Sequence, residues 1–184
     1  MPALRGGIER WSGGLSGKWK TISVWLAAII ILDQLTKVIV ARTMALYQSI
    51  AIFDGLFSFT YVRNPGAAFG IFAGNAEIFR RPFLILVSIL ASGFIVTLLH
   101  RLDGRERGLI TALTFILGGA VGNLIDRMIY GEVIDFLDVY WRNYHWPAFN
   151  VADSFITIGV AIALFRLYKH KGDDPFAGPA KADK

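Results

Sequence analysis

The sequence predicts an all-α membrane protein, four transmembrane helices carrying a small β region on one side of the bilayer. Two observations predict it. The composition is too apolar and too poor in charge for a soluble domain: 54% of the 184 residues are hydrophobic and 18% charged, with a mean hydropathy of +0.50, against about 25% charged in an average soluble domain. Four separate stretches also approach the roughly 20 mostly apolar residues that a spanning helix needs. The length suits a single domain, residues 1–184.

The helices are expected at about 22–40, 83–99, 109–125 and 152–167. The first resembles a signal peptide at its start, with Arg5, Arg10, Lys18 and Lys20 before an apolar run. No small-x-small cleavage site follows, and the run resumes at Val38-Ile39-Val40, so it reads as a retained helix. Basic residues set the orientation. They precede helix one, fill the loop after helix two (Arg101, Arg105, Arg107) and follow helix four (Arg166, Lys169, Lys171, Lys181, Lys184). By the positive-inside rule both termini face the cytoplasm. Arg80 and Arg81, at the outer mouth of helix two, oppose this and are outnumbered.

Two regions are then outside. Residues 47–79 contain a period-two stretch in which Phe57, Phe59 and Tyr61 share one face and Ser58 and Thr60 the other, followed by the turn Asn64-Pro65-Gly66 and an apolar run over 67–72. This predicts a hairpin or small sheet on the membrane surface. Residues 131–149 carry Tyr140, Trp141, Tyr144 and Trp146, residues that favour the membrane interface. The Gly-, Pro-, Asp- and Lys-rich stretch 172–184 is expected to be a disordered tail.

The net charge of +5 belongs to the helix ends, and with no nucleic-acid-binding motif it does not indicate a nucleic-acid partner. The absence of cysteine excludes disulfides, thiolate metal sites and a cysteine nucleophile. His100, His145 and His170 have no metal-ligand spacing. The remaining chemistry lies in polar residues at membrane depth, where ionisable groups are costly and need partners. Asp33 and Lys37, four apart, share a helix face and can form an ion pair, read as a structural clamp between helix one and the rest of the bundle in preference to direct contact with substrate. Gly118 and Gly122 permit close helix approach. Asn123 and Asp126 share a face, and the adjacent Arg127 is expected to keep Asp126 ionised. Asp135 sits among apolar neighbours that raise its pKa, with Asp138 three residues on and more wetted. Asn150 and Asp153 fit a capping arrangement at the start of helix four. Because helix three runs outward and helix four returns, Asp126, Asp135, Asn150 and Asp153 gather at one depth. Paired carboxylates sharing a proton are the working state of aspartic proteases.

Five segments in order then resemble lipoprotein signal peptidases, the signal peptidase II family, over most of the chain. They are Asp33-Gln34-Leu35-Thr36-Lys37; Asn64-Pro65-Gly66-Ala67-Ala68-Phe69; the run from Gly118 through Asn123 to Asp126-Arg127; Val133-Ile134-Asp135-Phe136; and Phe149-Asn150-Val151-Ala152-Asp153-Ser154. The resemblance implies four transmembrane helices with a periplasmic β-cradle and a short extracellular helix or loop. It implies a metal-independent aspartyl peptidase, without cofactors, that cleaves diacylglyceryl-modified prolipoproteins before the lipidated cysteine. The dyad maps onto Asp135 and Asp153, with Asp126 the third claimant. Asn64, Gly66, Asn123, Arg127, Asn150 and Ala152 fall in the motifs around it, and Asp33 and Lys37 onto the polar pair of the first helix. The expected partners are lipidated prolipoproteins and membrane lipids, with the protein a monomer in the bacterial inner membrane. The competing readings are a proton-coupled carrier, whose acids would form a chain across the bilayer, and an assembly subunit, which would tolerate Asp→Asn changes. No G-x-G-D points to a presenilin-type protease. Pro65 occupies a variable motif position.

Overall fold

The computed structural model describes residues 8–66 and 77–169, with side chains described for 17–66 and 78–169. In chain order the elements are α1 (Ile8–Thr43), β1 (Ser49–Phe53), β2 (Phe57–Asn64), α2 (Glu77–Arg101), α3 (Arg107–Ile129), β3 (Val133–Trp141), β4 (Tyr144–His145) and α4 (Val151–Lys169). Four helical stretches are long and apolar enough to cross a membrane: Gly17–Thr43, Ile78–Arg101, Arg107–Ile129 and Val151–Lys169. Arg5, the apolar run 67–72 and the tail 172–184 lie outside the described residues.

Each helix runs past its apolar centre, because a helix continues through polar residues until its backbone is stopped. For α3 the stop is Gly131, whose φ of +81° an L side chain rarely adopts. The extension matters because it keeps Asp126 and Arg127 helical. Arg81, which argued against the predicted orientation, has a structural task here. Its Nη2 donates to Met128 O at 2.9 Å, satisfying a carbonyl at the end of α3.

Helix packing follows the small residues. Lipid tails are as apolar as leucine, so helices in a bilayer associate through close backbone approach and polar contacts. A Cβ added to Gly118 would lie 2.9 Å from Ile29 Cγ2, and one added to Gly122 would lie 2.7 Å from Asp33 Oδ2. These two glycines seat α1. Gly119 abuts the backbone carbonyl of Ala152, and a Cβ at Gly159 would lie 2.7 Å from Ala112 O. That second pair seats α4. At the end away from the sheet, Ile22, Ile95, Leu99, Leu109 and Leu113 knit α1, α2 and α3 together. The outer face of α2 remains bare, with Leu90 and Phe94 mostly exposed, as suits a face toward lipid.

The sheet is antiparallel in the order β1-β2-β3-β4. Its β2 strand departs from the expected alternation. Ser58 and Thr60 are buried while Phe59 is exposed, and Tyr61 is buried next to Thr60. The cause is a bulge. Phe59 pairs with Leu137 and Val62 with Asp135, so three steps on β2 match two on β3 and the face reverses. Past the bulge, Asn64 pairs with Val133 and comes within reach of Asp135. Residues 131–149 therefore contribute β3 and β4 to the sheet, and among the described residues no short helix accompanies them. Val40, Tyr61, Ile134 and Phe136 form a second apolar cluster that fastens the sheet to α1, with Val151 of α4 against it.

Candidate active site

The site forms where the end of α3, the start of α4 and the first residues of β3 meet. A buried lysine anchors it. Lys37 Nζ lies 2.8 Å from Asp33 Oδ2 and 2.9 Å from Asp126 Oδ2, and donates to Asn123 Oδ1 at 3.0 Å, which uses all three of its protons. The expected Asp33–Lys37 pair is present, and it reaches further than a clamp. Asp33 Oδ1 accepts the Ala152 N–H at 2.9 Å, so a carboxylate from α1 caps α4. Ala152 is fully buried and small enough to fit against Gly119 and Gly122.

Asp126 is enclosed on every side. Its Oδ1 accepts Gln34 Nε2 at 3.0 Å, and its Oδ2 accepts the Ile134 N–H at 3.1 Å besides Lys37. Its counter-charge is Lys37, not Arg127 as the sequence suggested, since consecutive helix residues point in different directions. Arg127 turns the other way, donating to Gly66 O at 3.1 Å and Asn123 O at 3.3 Å. Its Nε is buried with no hydrogen-bond partner among the described residues.

Three asparagines surround the two remaining carboxyls, and each has its oxygen pinned. Asn64 Oδ1 accepts the Gly66 N–H at 3.0 Å, so its Nδ2 faces Asp135 Oδ2 at 3.0 Å. Asn123 Oδ1 accepts Lys37, so its Nδ2 faces Asp153 Oδ1 at 2.7 Å. Asn150 Oδ1 accepts the Asp153 N–H at 2.9 Å, so its Nδ2 faces Asp135 Oδ1 at 2.7 Å. The oxygen of each amide is committed, so the donor end must point at a carboxyl. Asp153 Oδ2 also accepts the Asn150 N–H at 3.3 Å, which completes the predicted capping box. Capping and site membership are thus compatible. One oxygen of Asp153 holds the helix start and the other faces Asn123.

Burial pushes the Asp135 carboxyl from an ordinary 3.8 up to about 7, and the neighbouring charge of Asp153 pushes the same way. Asp135 and Asp153 both line a cavity of about 610 Å³, together with Asn64, Asn123, Arg127 and the apolar residues Trp146, Pro147, Phe149, Ile156 and Ile158. Asp33, Lys37, Asp126 and Asn150 lie behind this lining. Asp138 is nearly as buried as Asp135, contrary to the expectation of a wetter site, and its carboxylate meets His145 Nδ1 at 3.0 Å across the β3–β4 turn. The sequence reading missed Gln34, although it stands in a motif, because nothing in its spacing foretold a bond across to α3. It also missed the apolar wall from Trp146 to Phe149.

The family model for signal peptidase (SPase) II matches residues 25–169, which contain the whole site. The chain belongs to the signal peptidase II family. It is 57% identical to the lipoprotein signal peptidase of Geobacter sulfurreducens over 133 residues, 72% of this chain and 82% of that one. Identity to the Geobacter metallireducens lipoprotein signal peptidase is 51% over 144 residues, 78% of this chain and 88% of that one. Among solved structures, two bacterial membrane enzymes superpose with TM-scores of 0.73 and 0.74 at 31% and 30% identity, covering 84% and 83% of this chain and 94% and 95% of theirs. The chain is thus a multi-pass membrane protease of this family, with four helices long and apolar enough to cross the membrane and a small antiparallel sheet.

Proposed function

We propose that this protein removes signal peptides from diacylglyceryl-modified prolipoproteins by aspartyl catalysis, cutting before the lipidated cysteine, with Asp135 and Asp153 as the dyad. The observation that carries the assignment is the set of three pinned asparagines presenting N–H donors to these two carboxyls at one cavity. Family membership supports the substrate class. Two neighbouring carboxyls share one proton, and that proton belongs to the pair. The ionised member takes a proton from a water whose oxygen attacks the scissile carbonyl carbon. The protonated member hydrogen-bonds the carbonyl oxygen as negative charge grows there. When the tetrahedral intermediate collapses, the C–N bond breaks and the leaving amine of the cysteine takes up the proton.

The surroundings suit the task. A helical signal segment has its peptide bonds internally satisfied, so the bond to be cut must be unwound. The Arg127 guanidinium, with its unpartnered Nε, and the amides of Asn64 and Asn123, which line the cavity, are donors for the exposed backbone. The apolar wall from Trp146 to Phe149 gives a lipidated residue a dry surface. Gly66 serves by offering its N–H to Asn64 and its carbonyl to Arg127. The enzyme acts as a monomer in the inner membrane, with both termini cytoplasmic and the site at the outer leaflet. It uses no metal or cofactor and has no nucleic-acid partner.

The test is cleavage of a diacylglyceryl-modified prolipoprotein by the purified enzyme, with products identified by mass spectrometry. A mature chain beginning at the lipidated cysteine is expected, and the unlipidated precursor is expected to remain uncut. Equal cleavage of both precursors would overturn the substrate reading.

A further inference from the structure

At the end of α3 and α4 remote from the aspartates lies a second, shallower depression. It is lined by Arg107, Gly108 and Thr111 of α3 and by Ala161, Ile162, Phe165 and Arg166 of α4, and encloses about 610 Å³. A Cβ added at Gly108 would sit 2.6 Å from Arg166 Cζ, so the guanidinium lies directly on the α3 backbone, where any side chain at 108 would displace it. Among the described residues, no carboxylate forms a salt bridge with Arg107 or Arg166. Phe165 is 64% exposed beside them. Both helices span the membrane, so the apolar part of this groove faces acyl chains and its charged mouth lies at a helix end, at headgroup depth.

We propose that this groove binds an anionic phospholipid, its phosphate held by Arg107 and Arg166 and an acyl chain lying against Ile162 and Phe165. Charge complementarity selects the headgroup. A guanidinium presents a planar fork of N–H donors that matches two phosphate oxygens, and basic pockets between membrane helices are suited to anionic lipids. The apolar wall distinguishes a lipid from a free anion, which would gain nothing from Phe165 or Ile162. The site is separate from the catalytic cavity and does not depend on the peptidase reading.

The experiment is native mass spectrometry of the delipidated full-length protein, titrated with palmitoyl-oleoyl phosphatidylglycerol and, separately, with the phosphatidylcholine of the same chains. Selective retention of phosphatidylglycerol is expected. Arg107→Gln and Arg166→Gln are each expected to weaken it roughly fivefold, while the double variant Arg101→Gln/Arg105→Gln, which removes like charge from the same end outside the groove, leaves it unchanged. Retained prolipoprotein cleavage reports that each variant is folded, and the two-lipid comparison on the unaltered protein decides headgroup selection whether or not the variants fold. Equal retention of both lipids would overturn the proposal, as would equal loss in the Arg101/Arg105 variant, which would mean diffuse attraction. So would displacement by millimolar inorganic phosphate, which would mean a soluble anion. Binding seen only after deletion of residues 172–184 would show that the chain's own Asp173-Asp174 segment fills the groove, and would overturn it too.

Discussion

Asp135 is the residue on which pH dependence turns. Its carboxyl keeps a proton up to about pH 7 because it is buried beside Asp153, whereas the unfolded chain releases that proton near 3.8. The folded state therefore binds more protons between those values. Its contribution to stability is full below about pH 4 and declines as pH rises toward 7. The proposed dyad gives activity the same upper limit, since without its proton it would have no acid to offer the carbonyl. The rate of prolipoprotein cleavage is expected to fall as pH rises through about 7, as a pH–rate profile would show. A flat profile from pH 6 to 9 would contradict this. Lys37 acts through Asn123. Lys37→Met would leave two buried carboxylates without a counter-charge, an expected loss of about 3–5 kcal/mol in denaturant unfolding in micelles. It would also release the Asn123 amide to rotate. The acids and asparagines were nameable from the sequence because charge at membrane depth is conspicuous. The pairing of Asp126 with Lys37 was not, because α1 and α3 lie far apart in the chain and only packing joins them.

At the scale of elements, the glycines of α3 decide how the site closes. Gly122→Ala would drive a methyl group to 2.7 Å from Asp33 Oδ2 and so disturb the bond from Asp33 to the Ala152 N–H. A destabilisation of about 1–3 kcal/mol is expected, typical of overpacking. Gly93, whose added Cβ would meet nothing within 4 Å, makes the matched comparison, and Gly93→Ala should leave thermal unfolding unchanged or slightly raised. Helix positions were legible from hydropathy, and the G-x-x-x-G spacing showed that α3 packs closely. The division of its glycines between α1 and α4 required the assembled bundle. In β2 the alternation of Phe57, Phe59 and Tyr61 predicted a strand and misassigned its faces. A one-residue bulge leaves no mark in a period-two pattern, yet it brings Asn64 to Asp135.

For the whole molecule, orientation and site form one account. The proposed orientation, with both termini cytoplasmic, would turn the sheet and the Asp135–Asp153 cavity outward. The natural absence of cysteine permits a clean test. In intact cells, Tyr144→Cys should react with a membrane-impermeant maleimide and Arg105→Cys should not; the reverse pattern would invert the topology. The central claim is that catalysis belongs to Asp135 and Asp153, brought together from β3 and α4, while Asp126 serves the buried network behind them. The most direct test compares cleavage of a diacylglyceryl-modified prolipoprotein by folded Asp135→Asn, Asp153→Asn and Asp126→Asn enzymes. Loss of at least about 10³-fold in the first two, with measurable activity in the third, is the predicted result. Substantial activity in Asp135→Asn or Asp153→Asn would contradict it.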